Sequence, residues 1–427
     1  MSRGRERVVT TRGQAFLAAG VTLVAGGMLL GFSDLTRVGV LLVLLPLIAL
    51  LLARRRPPTL SVRRTTSPTR LRLDERAVVE IEVTNLDTRR TPLLLAEERL
   101  DYVLGDRPRF VLPRMQHGER RVVRYHVRSQ VRGRHLLGPI SLRVRDPFGL
   151  TRLSLLLRST TEVIVLPRIE ALGADRPRGE GVGSEGEIPH MVALHGEDDV
   201  SIRGYRDGDD LRRIHWPATA HRGELMVRQE DRPARRRAVI LLDSRSSAYR
   251  QPGLHRSART PGFEWAVSAV ASVAVQLASL GYAVHLVCAE TVTEGSAAEL
   301  VDVDATLDVL AVAELAPSSS LEEGIRAAHS LTAGGGVVVA VVADHDEDAL
   351  RRLAAVRQPG SVGLAFVLDT ASLRGGPGGQ PAASASAASE LLGGAGWSTE
   401  VVRSSSTVRE AWSSLTARSA PTAGALR

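Results

Sequence analysis

The chain has 427 residues, a net charge of +8 and a single cysteine, Cys288. That length suits two or three domains, and one thiol excludes a disulfide framework or a multi-cysteine zinc or iron–sulfur centre, in keeping with a reducing compartment. No position is lysine, so all 55 basic residues are arginines, and a Walker A phosphate loop, a pyridoxal Schiff base and a kinase phosphate lysine have no residue to build on.

In chain order, the first feature is a pair of apolar stretches without a charged side chain, residues 14–32 and 38–53. The first has the ~20 residues that cross ~30 Å of hydrocarbon, and the second reaches that length with its flanks at the interface. Together they predict a two-helix transmembrane hairpin, an anchor domain over residues 1–57 with the loop SDLTR (Ser33–Arg37) at its tip. A cleaved signal peptide fits less well, because no small-residue cleavage site follows Phe32 and a second apolar stretch comes at once. Arg3, Arg5, Arg7 and Arg12 precede the hairpin and Arg54, Arg55 and Arg56 follow it. The positive-inside rule then places both termini and the body in the cytoplasm.

Beyond Pro57 and Pro58 the pattern alternates with period two. Val79, Ile81 and Val83 alternate with Glu80 and Glu82, and Val123, Tyr125 and Val127 with Arg124, His126 and Arg128. Such runs, broken by turn signals at Asn85–Asp87 and Asp146–Gly149, predict a β-sandwich over residues 58–168. Periodicity is lost from Ile169 to Asp199, so residues 169–235 read as a connector. Its GVGSEG string (Gly181–Gly186) matches a dinucleotide fingerprint only as a string, since no strand precedes it and no helix follows.

From residue 236 to 427, continuous apolar runs at 238–243, 283–288, 336–344 and 363–369 alternate with helical patterns. That is the signature of a doubly wound parallel sheet covered on both faces, interrupted by a Gly/Ala/Ser-rich, flexible insertion at 375–388. The fold class is thus multidomain α/β plus β behind a membrane hairpin. Cys288, in an apolar run, reads as a core thiol.

Two segments carry candidate sites. Asp243-Ser244-Arg245-Ser246-Ser247 ends an apolar strand, where open α/β sheets bind ligands. It resembles the metal-ion-dependent adhesion loop D-x-S-x-S of von Willebrand factor A domains, and that resemblance implies magnesium held by Asp243, Ser247 and the distal Asp344, with Ser318–Ser320 near the threonine position. Arg245 stands where the family has its middle serine, a cation that repels the ion or takes its place. The second segment, RGYRDGDDLRRIHWPATAHRGELMVRQ (Arg203–Gln229), reads as a short helix capped by Asp209 or Asp210 and running through Trp216. It resembles the hallmark of the prokaryotic domain-of-unknown-function family fifty-eight at Arg203, Tyr205, Gly208, Asp209, Arg212, Ile214 and Trp216, then at Gly223, Glu224, Leu225, Val227 and Arg228, with His221 in an arginine position.

The resemblance extends over the hairpin, the turns at Arg132–Pro139 and Asp146–Leu150, the hallmark and the A-type domain. It implies a von Willebrand factor A-like head without known enzymatic activity that binds a protein partner, a MoxR-type AAA+ ATPase. No nucleophile elbow or H-E-x-x-H pair occurs, and His215 and His221 read as members of a surface network. The basic run Arg235–Arg237 lacks interleaved aromatics, so no nucleic acid is expected. The sequence therefore predicts a non-enzymatic, membrane-tethered adaptor that needs no cofactor. The alternative is a divalent-metal-dependent ligand-binding or hydrolytic protein working through the degenerate loop.

Overall fold

The computed structural model describes residues 6–53, 58–145, 148–177, 200–205, 214–230, 236–249, 260–300, 302–333, 335–375 and 380–418. By packing, the chain divides into one unit of residues 1–169 with 304–314 and a second of residues 170–303 with 315–427.

In the first unit, β1 (Glu6–Val9) leads directly into α1 (Thr11–Leu30), and α2 (Ser33–Ala53) returns. Thr10 starts α1 by accepting the Gly13 N–H on its hydroxyl at 3.2 Å, and Gly31 ends it at φ 72°. Only Gly31 and Phe32 are left between the helices, so the loop expected over Ser33–Arg37 is instead the start of α2. Both helices are long and apolar enough to cross a membrane. Their backbones approach closely, since a Cβ on Gly39 would stand 2.7 Å from the Val24 nitrogen and 2.9 Å from the Gly20 oxygen.

Next come β2 (Leu60–Ser67), β3 (Arg70–Leu71), β4 (Arg76–Asn85), β5 (Leu94–Leu100), β6 (Arg109–Leu112), β7 (Arg120–Arg128), β8 (Gly133–Arg145), β9 (Thr151–Leu157) and β10 (Thr161–Val165). Strands β2, β4 and β7 pair antiparallel in a three-stranded sheet, and the others join β1 in a seven-stranded sheet. The period-two pattern explains the packing. Ala77, Val79, Ile81 and Val83 of β4 enter one core with Leu94, Leu137, Ile140 and Val163 of the larger sheet, while Glu80 faces outward to pair with Arg124 at 2.7 Å. Strand β1, within a basic stretch that sequence reading assigned only to membrane orientation, pairs along β9 from Glu6↔Ser154 to Val9↔Thr151. In the same unit Arg70 pairs with Asp304 at 3.0 Å and Asp308 at 2.6 Å.

The second unit opens with β11 (Val200–Gly204), α3 (Trp216–Arg222) and β12 (Met226–Glu230). The elements that follow are β13 (Arg237–Leu242), α4 (Ser246–Tyr249), α5 (Pro261–Ser279), β14 (Ala283–Val287), α6 (Ala289–Glu294), α7 (Val303–Val312), α8 (Ser320–Thr332), β15 (Val337–Ala343), α9 (Glu347–Ala354), β16 (Val362–Leu368), α10 (Thr370–Leu373), α11 (Ala383–Gly394), β17 (Ser398–Val402) and α12 (Val408–Arg418). Of these, residues 304–314 pack with the first unit. Strands β13 to β17 form a five-stranded, all-parallel sheet in the order β14-β13-β15-β16-β17. Every residue of β15 is buried, as a strand covered on both faces requires. Helices α8, α9 and α11 pack on one face, and α5 and α12 on the other, where Trp265 and Trp412 flank Phe366. Helix α5 is also of membrane length, but two thirds of it, 67%, is buried inside this unit.

The expected insertion at 375–388 is shorter than the composition suggested. Residues 376–379 lie outside the described chain, and from Ala383 the alanine run is helix α11, which buries Ala385, Ala388 and Leu392. Alanine is the strongest helix former and fits close to a sheet. Cys288 is buried, and burial pushes its thiol up to about 12.

Candidate functional site

The direction of winding in the parallel sheet reverses between β13 and β15, because the chain steps to β14 on one side and to β16 on the other. Loops leaving two such strands lie side by side at the carboxyl edge, where this class of sheet binds ligands. The loop after β13 carries Asp243, Ser244 and Arg245, and the loop after β15 carries Asp344, His345 and Asp346.

Arg245 joins the two loops. Its Nε donates to Asp243 Oδ1 at 2.9 Å, its Nη2 to Asp243 Oδ2 at 2.8 Å, and its Nη1 to Asp346 Oδ2 at 2.5 Å. The Asp243 carboxylate is fully buried, and Arg245 is only 3% exposed. Burial disfavours a charged guanidinium, but the hydrogen bonds and charges of Asp243 and then Asp346 outweigh it and raise the arginine's proton affinity. The Asp243 oxygens also accept from the Arg245 and Ala343 N–H groups, at 3.1 and 3.3 Å. Asp346, in the left-handed region at φ 78°, caps α9 by accepting the Ala349 N–H at 3.0 Å. Burial pushes its carboxyl up, yet the Ala349 N–H and Arg245 together hold it below the usual range.

The other two members of the expected ligand set are engaged elsewhere. Asp344 accepts from Thr370 Oγ1 at 2.7 Å and Ser384 Oγ at 2.6 Å, with His345 Nδ1 at 3.9 Å. Burial pushes Asp344 up, but His345, Ser384 and Thr370 outweigh it and hold the carboxyl low. Ser247 Oγ lies 3.3 Å from Ser318 Oγ, which puts Ser318 beside the loop. Of the three expected ligands, only Asp243 is bound by Arg245, while Ser247 lies against Ser318 and Asp344 against Thr370 and Ser384. Among the described residues no three His, Cys, Asp or Glu side chains are grouped to hold a metal ion. Sequence reading flagged Arg245 as an obstruction but missed Asp346, whose only sequence signal is its N-cap position before an acidic first turn.

The hallmark segment forms a separate module. Strands β11 and β12 pair antiparallel from Val200↔Glu230 to Gly204↔Met226, with Arg203 opposite Val227. Between them α3 begins at Trp216, while the helix expected from Asp209 or Asp210 falls on residues 206–213, outside the described residues. His215 is its cap, accepting the Ala218 N–H on Nδ1 at 3.2 Å, with Pro217 in the first turn. Gly208, Asp209 and Arg212 lie outside the described residues. Thr219 ties the module together, donating to the His215 oxygen at 3.1 Å and accepting the Met226 N–H at 3.0 Å. Gly223 ends the helix at φ 75°. Tyr205 N–H donates to the Leu225 oxygen at 2.8 Å, and Ile214 bridges to Val227, so both are half-buried supports. Glu224 is exposed. Trp216 is 66% exposed, while Met226 and Val227 are buried beneath the module at 4% and 3%.

The class defined by these features is a parallel α/β unit bearing a strand–helix–strand module, on a chain with two apolar helices of membrane length. Residues 201–357 match the family described as protein of unknown function DUF58. No curated protein matches the chain. Among solved structures, it is similar to the CARDB domain of a Pyrococcus furiosus protein in complex with di-metal ions, at 15% identity over 25% of this chain and 93% of that one, with a TM-score of 0.19. A second is the Pseudomonas fluorescens alkylpurine DNA glycosylase AlkC bound to DNA, at 17% identity over 34% and 41% of the two chains and a TM-score of 0.19. A third is a β-glucosidase from Listeria innocua with glucose, at 13% identity, 25% and 16% coverage and a TM-score of 0.17.

Proposed function

We propose that this protein is a non-enzymatic, membrane-tethered adaptor whose α/β head binds a protein partner, a MoxR-type AAA+ ATPase, through the hallmark module. On this reading the first unit's two sheets are a β-sandwich, the parallel sheet is a von Willebrand factor A-like head, and the hairpin is a multi-pass anchor with both termini in the cytoplasm. The observation that carries it is Trp216, 66% exposed at the first position of a helix whose cap and return are tied within the module by His215, Thr219 and Gly223. A large aromatic with two side-chain torsions on a fixed backbone costs little further entropy on binding, and tryptophan is prominent among interface hot spots. The Arg245 strut supports the same reading, since it fills with protein the position that metal-dependent members of the A-type class use for an ion.

The test is co-purification with the ATPase from detergent-solubilised membranes. Trp216→Ala should weaken retention by at least about tenfold, the size of a modest hot spot, with an unchanged unfolding midpoint. Retention equal to the parent's would refute the assignment of the surface.

A further inference from the structure

Within the first unit, the strand directions bring every chain end beside the membrane helices to one edge. Strand β1 runs into α1 from Val9, and its partner β9 starts opposite, at Thr151. Strand β8 ends at that edge, because Arg145 pairs with Arg152. Leu94 pairs with Val144 and with Leu112, so β5 starts there and β6 ends there. In the smaller sheet, Leu60, the first residue of β2 after α2, pairs with Asn85 at the end of β4, and Thr84 pairs with Arg120 at the start of β7. The loops at 86–93, 113–119 and 148–150 therefore share the edge from which both apolar helices depart.

Their composition is unusual for a solvated edge. Leu86 is 53% exposed, Leu93 60% and Phe148 61%, and Arg89, Arg90 and Arg114 stand exposed beside them. None of these three guanidiniums enters an ion pair among the described residues. The nearby acids are engaged locally, Glu119 with Arg121 at 2.6 Å and with the Gln116 N–H at 2.8 Å, and Asp87 with the Arg89 N–H at 3.3 Å. Nor are the loops loose ends. Asn85 Nδ2 donates to the carbonyls of Arg89, Met115 and Gln116 at 2.9 to 3.2 Å. Thr10, the cap of α1, donates from its hydroxyl to the Gly149 oxygen at 2.7 Å and from its N–H to the Leu150 oxygen at 2.9 Å. Gly13, in the first turn of α1, lies so close to Leu150 that a Cβ would stand 2.5 Å from its oxygen.

We infer that this edge is a second, interfacial membrane contact, with Leu86, Leu93 and Phe148 seated at the headgroup–acyl boundary and Arg89, Arg90 and Arg114 on anionic lipid headgroups. The occupant follows from continuity: the 148–150 loop, hydrogen-bonded to the cap of a bilayer-crossing helix, lies at the level of its interface, and the other two loops share its edge. Apolar and aromatic tips ringed by arginine match that zone, where aromatics partition and basic residues are drawn to an anionic surface. The inference rests on the hairpin reading.

The test uses the full-length protein in nanodiscs of phosphatidylcholine with about one third phosphatidylglycerol. An environment-sensitive dye is placed on single cysteines at Phe148→Cys, Leu93→Cys or Leu86→Cys, with Cys288 left in place because it is buried. Tyr102→Cys, 88% exposed between β5 and β6 at the opposite edge, is the water control, and Leu41→Cys in α2 is the lipid control. The three edge positions should be quenched by lipid nitroxides and be at least about threefold less accessible to iodide than position 102. Replacing Arg89, Arg90 and Arg114 with Gln should reduce that protection. Iodide quenching equal to that at 102, with Leu41→Cys quenched by lipid, overturns this inference and leaves the hairpin standing. Failure at Leu41→Cys overturns both.

Discussion

Arg245 stands at the middle position of a string that otherwise reads D-x-S-x-S, and its surroundings make it costly to replace. Asp243 is fully buried with both oxygens on that guanidinium. Arg245→Met should therefore leave a buried, uncompensated carboxylate and destabilise the protein by about 3–5 kcal/mol, the penalty for breaking a buried pair from one side. Asp243→Asn combined with Arg245→Met should cost less than the sum of the single changes. Denaturant titration measures both. Arg245→Ser, which restores the D-x-S-x-S string, should gain a thermal shift with millimolar magnesium that the parent lacks, and an equal response in both proteins would contradict the strut. The charge conflict was legible in the sequence at Arg245 itself. Its resolution was not, because Asp346 lies 101 positions away and only the parallel pairing of β13 with β15 brings it near.

At the scale of elements, strong periodicity was read well and local capping poorly. The alternation of β4 and the continuous apolar runs of β13, β15 and β16 reflect burial on one face or two, which composition reports directly. The ends of elements depend on single capping residues. Thr10 and Gly31 move the helices to 11–30 and 33–53, and His215, an uncommon cap, starts α3. Strand β1 escaped notice because an edge strand of four residues carries too little pattern to separate from a basic flank. The hairpin seam gives a prediction at this scale. Gly39→Leu places a side chain against the Gly20 oxygen and Val24 nitrogen, so the helices must part. Engineered disulfide formation across the seam, measured in membranes, should fall relative to the parent, whereas Leu41→Ala on the lipid-exposed side should leave it unchanged.

For the whole molecule, the functional reading goes only as far as the hallmark strings at 201–229 reach, because no motif of reacting side chains stands beside them to define a chemistry. Three of the hallmark residues, Gly208, Asp209 and Arg212, lie outside the described structure, so the surface rests on Trp216 and the module beneath it. The proposed role also requires that this surface face the cytoplasm. Arginine clusters on both outer flanks of the hairpin, against the single Arg37 paired with Asp34 at 3.1 Å at the start of α2, are the sequence asymmetry from which the positive-inside rule predicts a cytoplasmic body. The most direct measurement is a pair of topology reporters fused after Arg427, one active only in the cytoplasm and one only outside it, in cells whose membranes are then fractionated. The account predicts cytoplasmic activity in the membrane fraction, lost to the soluble fraction when residues 1–53 are deleted. Activity of the external reporter, or a full-length protein that remains soluble, would contradict it.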